Sequence, residues 1–142
     1  HGTGNVGLGL LRGYGLKRGA VAVSIAHDSH NIIVAGTNNG DMAAAVKALE
    51  TQKGGMAIVL DGKVLAAIPL PIAGLMSDQP AGAVDAAMDE LYAKAHDILG
   101  VSADVDVIMT LCFMSLPVIP KLKLLDTGLF DVEAFDFVPV EL

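Results

Sequence analysis

Hydrophobic and polar positions along the first part of the chain form short blocks separated by glycines. The apolar or alternating runs are residues 5–11, 19–26 and 31–35. This spacing is typical of β-strands joined by tight turns. Residues 56–60 and 64–68 flank the dipeptide Asp61-Gly62, which accepts the positive φ angles of a two-residue turn. The pattern therefore predicts three strands followed by a β-hairpin.

Two further stretches have apolar residues at the spacing of one helix face. The first apolar face comprises Met42, Ala45, Val46 and Leu49, and the N-cap candidates before or within its first turn are Asn38, Asn39 and Asp41. The second predicted helix begins near Pro80, with Ser77 or Asp78 as its cap, and ends at Gly100. Its buried stripe comprises Val84, Ala87, Met88, Leu91, Ala95, Ile98 and Leu99.

In the last third of the chain the apolar residues recur at a less regular spacing. Continuous apolarity over residues 107–116 fits a short helix capped by Asp106 or a buried strand, and we favour the helix. Residues 121–142 indicate an irregular segment with one edge strand near residues 135–138. Because strands outnumber helices, the predicted fold class is α+β. It is a mainly antiparallel sheet with two or three helices packed on it, in a single domain spanning residues 1–142.

Composition and charge narrow the range of partners. The 142-residue chain is 53% hydrophobic and 18% charged, which is more apolar than an average soluble domain. Its formal net charge is -7 and its few basic residues are scattered, so we expect neither nucleic acid nor a membrane as a partner. No apolar stretch reaches the ~20 residues of a membrane span and no signal peptide is evident, which predicts a cytoplasmic protein. The chain begins at His1 without an initiator Met, which indicates a piece of a longer polypeptide.

Three isolated features favour structural roles. Cys112 lies in an apolar run with no basic neighbour, which predicts a buried structural thiol. His96 lies beside the stripe of the second helix without a metal-type residue four positions away, so we expect a partly exposed helix residue. Residues 2–7 match G-x-G-x-x-G but lack the preceding strand and the following helix of a dinucleotide site. A glycine-rich loop entering a strand is the better interpretation.

The most distinctive candidate site is a run of five polar residues between two apolar strands. It comprises His27, Asp28, Ser29, His30 and Asn31. Such a group can be a hydrogen-bonded turn, a loop that contacts or supports a substrate, or a metal site. On an extended backbone the two imidazoles point to opposite faces, and a fourth metal ligand is missing. We therefore assign no metal ligand here and keep the structural turn and the substrate-pocket loop as alternatives.

A second candidate is the apolar loop, residues 70–78, which is stiffened by two prolines. Its candidate contact residues are Gly74, Met76 and Ser77. An exposed apolar loop would suit contact with a partner domain or a flat apolar ligand. The alternative is a connection packed on its own core.

Four segments together resemble the C-terminal domain of adenine deaminases of the amidohydrolase superfamily. They are HGTGN at residues 1–5, AHDSHNIIV at 26–34, LPIAGLMS at 70–77 and LPVIP at 116–120. The resemblance runs from the first residue to about Val132. It implies hydrolysis of adenine to hypoxanthine and ammonia by a whole enzyme of purine metabolism.

The resemblance also implies where the catalytic metal lies. In this family a metal pair, typically manganese or iron, activates water within an N-terminal barrel. This chain has no His-x-His pair, and its single Cys excludes the zinc deaminase motif. We therefore expect no cofactor bound by this chain, no activity from it alone, and a role in closing or supporting the active site of the barrel.

The competing hypothesis is a free-standing module that binds a small ligand or another protein and has lost the barrel. Under the enzyme hypothesis the partners are the barrel of the same polypeptide and adenine as the substrate. The high apolar content also predicts a homo-oligomer, because large exposed apolar patches favour association.

Overall fold

The computed structural model describes residues 3–140. In this part of the chain, a four-stranded antiparallel sheet is built from β1 (Ala20–Val23), β2 (Ile33–Gly36), β3 (Gly55–Leu60) and β4 (Lys63–Pro69). The strand order is β2-β1-β3-β4, so β1 and β3 lie in the centre. A separate antiparallel sheet contains β5 (Leu122–Leu125), β6 (Gly128–Asp131) and β7 (Asp136–Val138) in chain order. The predicted α+β class is confirmed.

The central strands bury both of their faces, which explains their continuous apolarity. Alternate residues of a strand point to opposite sides of a sheet. Val21 and Val23 accordingly join one core cluster, whereas Ala20 and Ala22 join a second cluster on the other face. The alanines let a helix approach the second face closely.

Helix α1 (Asn39–Thr51) packs on this alanine face through Ala45 and Leu49. The predicted cap is confirmed, because the Asn38 side chain accepts the Asp41 amide hydrogen at 2.8 Å. The Asp41 carboxylate in turn accepts the amide of Gly62 at 2.7 Å. The first turn of α1 is thereby joined to the turn of the β3–β4 hairpin, where Asp61 and Gly62 both have the expected positive φ.

The opposite face is covered by α2 (Ala81–Lys94) and by a π-helical continuation at Ala95–Leu99. The buried stripe is confirmed at Leu91, Ala95 and Leu99, and Gly100 ends the helix in the left-handed conformation. The predicted cap is wrong. Pro80 occupies the N-cap position without a side-chain hydrogen bond, because Ser77 instead accepts the amide of Gln79 within its own turn.

A short helix, α3 (Met109–Cys112), confirms the helical interpretation of the apolar run in residues 107–116. Asp106 precedes it and accepts the amides of Ile108 and Met109. The C-terminal sheet was predicted only at its last strand. Strands β5 and β6 were missed because each has only four residues, too few to show a clear alternation of apolar and polar positions.

The expected strand at residues 5–11 is wrong, since no strand is present between residues 3 and 19. Gly7 and Gly9 instead lie against β5 and β6 without joining a hydrogen-bonded ladder. Within residues 3–140, every helix is too short or too polar to cross a bilayer.

Candidate functional site

The five polar residues at positions 27–31, here called the polar turn, connect β1 to β2 at one end of the four-stranded sheet. Asp28, Ser29 and His30 are exposed, whereas His27 and Asn31 are half-buried. The His30 amide donates to the carbonyl of Ala26 at 2.6 Å, and His30 has a φ of 50°. A left-handed histidine is uncommon and persists only where its surroundings hold it. The polar turn is thus a defined, hydrogen-bonded structure.

The segment that follows α3 holds the polar turn in place. The amide of His27 donates to the carbonyl of Cys112 at 3.0 Å, and the buried hydroxyl of Ser115 donates to the carbonyl of His27 at 3.2 Å. The His27 ring stacks on Phe113, with centroids 4.8 Å apart. The sequence gives no local signal for these contacts, because Ser115 lies 88 residues beyond His27.

A cleft of about 270 Å³ opens beside the polar turn. Its walls come from the polar turn, from the chain after α3 and from the β5–β6 turn. The lining residues are Asp28, Ser29, Asn31, Ser115, Leu116, Pro117, Val118, Leu125 and Asp126. Ser115 and Asp126 were not predicted as site residues, because only the fold brings them to the polar turn. The cleft therefore combines two carboxylates and several hydrogen-bonding groups with an apolar wall.

The donor set does not fit a metal pair. Between residues 3 and 140, no three His, Cys, Asp or Glu side chains come together closely enough to hold an ion. The rings of His27 and His30 are tilted by 57° with centroids 6.3 Å apart, and His27 is stacked on Phe113. Of the described histidines, His27 packs on Phe113 and His96 lies within hydrogen-bond distance of the Val101 carbonyl, whereas His30 is exposed.

The apolar loop, residues 70–78, leaves the same end of the sheet as the polar turn, because β1 and β4 are both antiparallel to β3. The Ser24 hydroxyl donates to the carbonyl of Gly74 at 2.6 Å and accepts the amide of Gly55 at 2.7 Å. Ile72 and Met76 pair through their backbones and remain exposed, whereas Ser77 is half-buried. The base of the loop thus packs on its own core while its tip presents apolar side chains.

The remaining singled-out residues occupy structural positions. Burial raises the pKa of the Cys112 thiol to about 11, as expected for an inert core cysteine. His96 is half-buried, with Nδ1 3.1 Å from the carbonyl oxygen of Val101. Gly2 of the G-x-G-x-x-G match lies outside the described residues, as does His1 before it, and Gly7 contacts the backbone of Leu125. No helix follows these glycines among residues 3–19.

The family model and several relatives that match this chain are described as adenine deaminases. The family model described as "Adenine deaminase C-terminal domain" matches residues 1–136. The chain is 58% identical to "Adenine deaminase 2" of Desulfotalea psychrophila over 139 residues, which is 98% of this chain and 24% of that protein. It is 55% identical to "Adenine deaminase" of Nitratidesulfovibrio vulgaris over 138 residues, covering 97% of this chain and 24% of that protein.

A relative from Ligilactobacillus salivarius, also called "Adenine deaminase", is 53% identical over 142 residues, or 100% of this chain and 25% of that protein. The chain thus spans about a quarter of the length of the curated relatives it matches. The match covers the four-stranded sheet and strands β5 and β6, and it includes every residue that lines the cleft. The chain therefore belongs to the adenine deaminase C-terminal domain family.

Proposed function

We propose that this chain is the accessory C-terminal domain of a longer adenine deaminase, and that the polar turn forms part of the wall of its substrate pocket. One observation carries this proposal. Asp28, Ser29 and His30 are exposed at one end of the four-stranded sheet, and the turn that bears them is held at the edge of a cleft by Cys112 and Ser115. These hydrogen bonds fix the three exposed side chains in a defined position beside the cleft.

The size of the cleft supports a shared pocket. Pockets that bury a small ligand have volumes of about 300–1,000 Å³, and this cleft of about 270 Å³ lies just below that range and is open to solvent. A second surface would be needed to enclose a ligand there. The relatives supply the polypeptide for it, since about three quarters of their length lies outside this match.

The chemistry of the lining suits an aminopurine. Ionised carboxylates accept hydrogen bonds but cannot donate them, and the exocyclic amine of adenine is a donor. Asp28 and Asp126 therefore provide acceptors, while Ser29 can donate or accept. In this proposal these side chains bind and orient the base, and the stacked His27 keeps the polar turn in register.

The catalytic metal belongs to the missing portion in this proposal. When bound, a pair of manganese or iron ions in an amidohydrolase barrel supplies activated water for deamination. The donor groups of residues 3–140 do not fit such a pair. The whole enzyme would act in cytoplasmic purine metabolism as a homo-oligomer, with the barrel of the same polypeptide as the partner of this chain.

The apolar loop has a supporting role in this proposal. Gly74 fixes its base through the hydrogen bond from Ser24, and Ser77 closes the turn that follows. Met76 remains exposed at the same end of the sheet as the polar turn. We assign this tip to contact with the catalytic portion, next to the substrate pocket.

Substitution of the polar turn in the full-length enzyme tests the proposal. We expect Asp28→Ala to raise KM for adenine more than it lowers kcat. The value of kcat/KM should fall about ten- to a hundredfold, because a hydrogen bond to a charged group contributes about 1.5–3 kcal/mol. His27→Ala should have a similar effect, since it removes the stacking on Phe113.

Asp104→Ala is the matched control, because Asp104 is exposed and does not line the cleft. It should leave both kinetic constants unchanged. If Asp28→Ala and His27→Ala behaved like this control, the polar turn would be structural only and the pocket assignment would be wrong.

A further inference from the structure

A row of exposed apolar side chains lies near the start of the described chain. Val6, Leu8 and Leu10 are 78%, 70% and 91% exposed, and we call these three side chains the N-terminal ridge. Large apolar residues at such exposure mark an interaction surface when they are contiguous. Residues 6–11 of the chain contain no charged side chain that would favour solvent exposure.

The glycines between the ridge residues determine its orientation. A Cβ added to Gly7 would lie 1.8 Å from the carbonyl oxygen of Leu125, and one added to Gly9 would contact the side chain of Leu124 at 3.5 Å. The glycine side of the segment thus rests on β5, where no side chain fits at Gly7. With the glycine side resting on β5, the ridge side chains remain exposed on this chain.

The N-terminal ridge adjoins the cleft. Leu125 contacts Gly7 and also lines the cleft with Asp28 and Asn31. On the wall formed by the chain after α3, Val118 is 72% exposed. A partner that covers the ridge would therefore extend over apolar cleft wall as well and exclude water from the polar turn.

We propose that the N-terminal ridge docks against the catalytic portion of the same polypeptide and closes the cleft from that side. This inference rests on the proposed function. The relatives contain about three times as much additional polypeptide as this chain, and the family is defined as a C-terminal domain. In that arrangement the preceding polypeptide joins at the ridge, and the covalent link gives it a high effective concentration there.

Photo-crosslinking in the full-length protein tests the occupant of the ridge. A photo-crosslinking amino acid replaces Leu10, and the same amino acid replaces Val64 on β4 as the control, because Val64 is also an exposed apolar residue. Heavy-isotope-labelled and unlabelled proteins are mixed before irradiation, and the crosslinked peptides are identified by mass spectrometry. We expect the variant with the photo-crosslinking amino acid at position 10 to crosslink to the catalytic portion within one chain. The control variant, with this amino acid at position 64, should give no such crosslinks.

Two results would overturn the proposal. Crosslinks between labelled and unlabelled chains would identify a second copy as the occupant. A crosslink yield at position 10 equal to that of the control would show that the ridge has no partner.

A stability comparison provides an independent measurement. In the full-length protein, the double variant Leu8→Asp, Leu10→Asp should lower the unfolding temperature of the C-terminal domain. In the isolated 142-residue chain, the same variant should leave the unfolding temperature unchanged. Val64→Asp should have no such differential effect. An equal change in both proteins would contradict docking. Neither readout requires turnover, so a full-length protein that failed to deaminate adenine would refute the proposed function without altering these results.

Discussion

Removal of the Ser24 hydroxyl, a change of one heavy atom, should lower the free energy of unfolding of the chain substantially. This buried hydroxyl donates to the carbonyl of Gly74 at 2.6 Å and accepts the amide of Gly55 at 2.7 Å, so it joins β1, β3 and the apolar loop. In Ser24→Ala, the buried amide of Gly55 loses this acceptor, whereas the half-buried carbonyl of Gly74 can bind water. A buried unsatisfied group costs about 1–3 kcal/mol and an ordinary hydrogen bond contributes about 0.5–1.5 kcal/mol.

The expected loss in the free energy of unfolding is therefore about 1.5–4.5 kcal/mol, a large part of the roughly 5–15 kcal/mol typical of a domain. Urea unfolding of the 142-residue chain measures it as a lower midpoint with an unchanged slope. The Gly55 amide should also lose protection from hydrogen exchange. Thr127→Ala, at an exposed position, is the control. A Ser24→Ala midpoint matching that of the control, with Gly55 still protected, would refute this reasoning.

Two further predictions concern titratable groups. Hydrogen bonds from the Asn38 side chain and the Gly62 amide lower the pKa of Asp41 below its ordinary value of 3.8. The folded state therefore releases this proton more readily than the unfolded state, and the stabilisation is complete above the ordinary pKa and lost as pH falls through the folded pKa. As the pH is lowered, the urea midpoint of the wild type should fall by the contribution of the Asp41 carboxylate, and that of Asp41→Asn should lack this contribution. If the midpoints of the two proteins fell in parallel with pH, the prediction would be wrong. Because burial raises the pKa of Cys112 to about 11, a thiol reagent at about pH 8 should modify it only after unfolding, and rapid labelling of the native chain would exclude this burial.

Local chemistry explains which parts of the fold could be predicted from the sequence. Asp61-Gly62 predicts its hairpin because few other dipeptides accept two positive φ angles. The polar residues Asn38, Asn39 and Asp41 predict a helix start because their side chains can accept a backbone amide, and the structure selects Asn38 as the cap. The π-helical turn at Ala95–Leu99 follows an unbroken helical pattern, so the sequence contains no sign of it. The segment at residues 5–11 has the apolar pattern of a strand, but its glycines pack on β5 without a ladder.

The candidate site could likewise be predicted from the sequence only in part. The polar residues at positions 27–31 could be identified because five hydrogen-bonding side chains interrupt two apolar strands. The groups that complete the cleft, Ser115 and Asp126, belong to segments whose position depends on tertiary packing. Their neighbours in sequence are apolar or ordinary turn residues, so no local pattern distinguishes them.

A crystal structure of the full-length protein with adenine bound would test most directly whether the polar turn lines the substrate pocket. We expect Asp28 or another side chain of the polar turn to contact the base, and every ligand of the catalytic metal to come from outside this chain. Metal ions held by the side chains of this chain, or a polar turn facing solvent away from the base, would contradict this expectation.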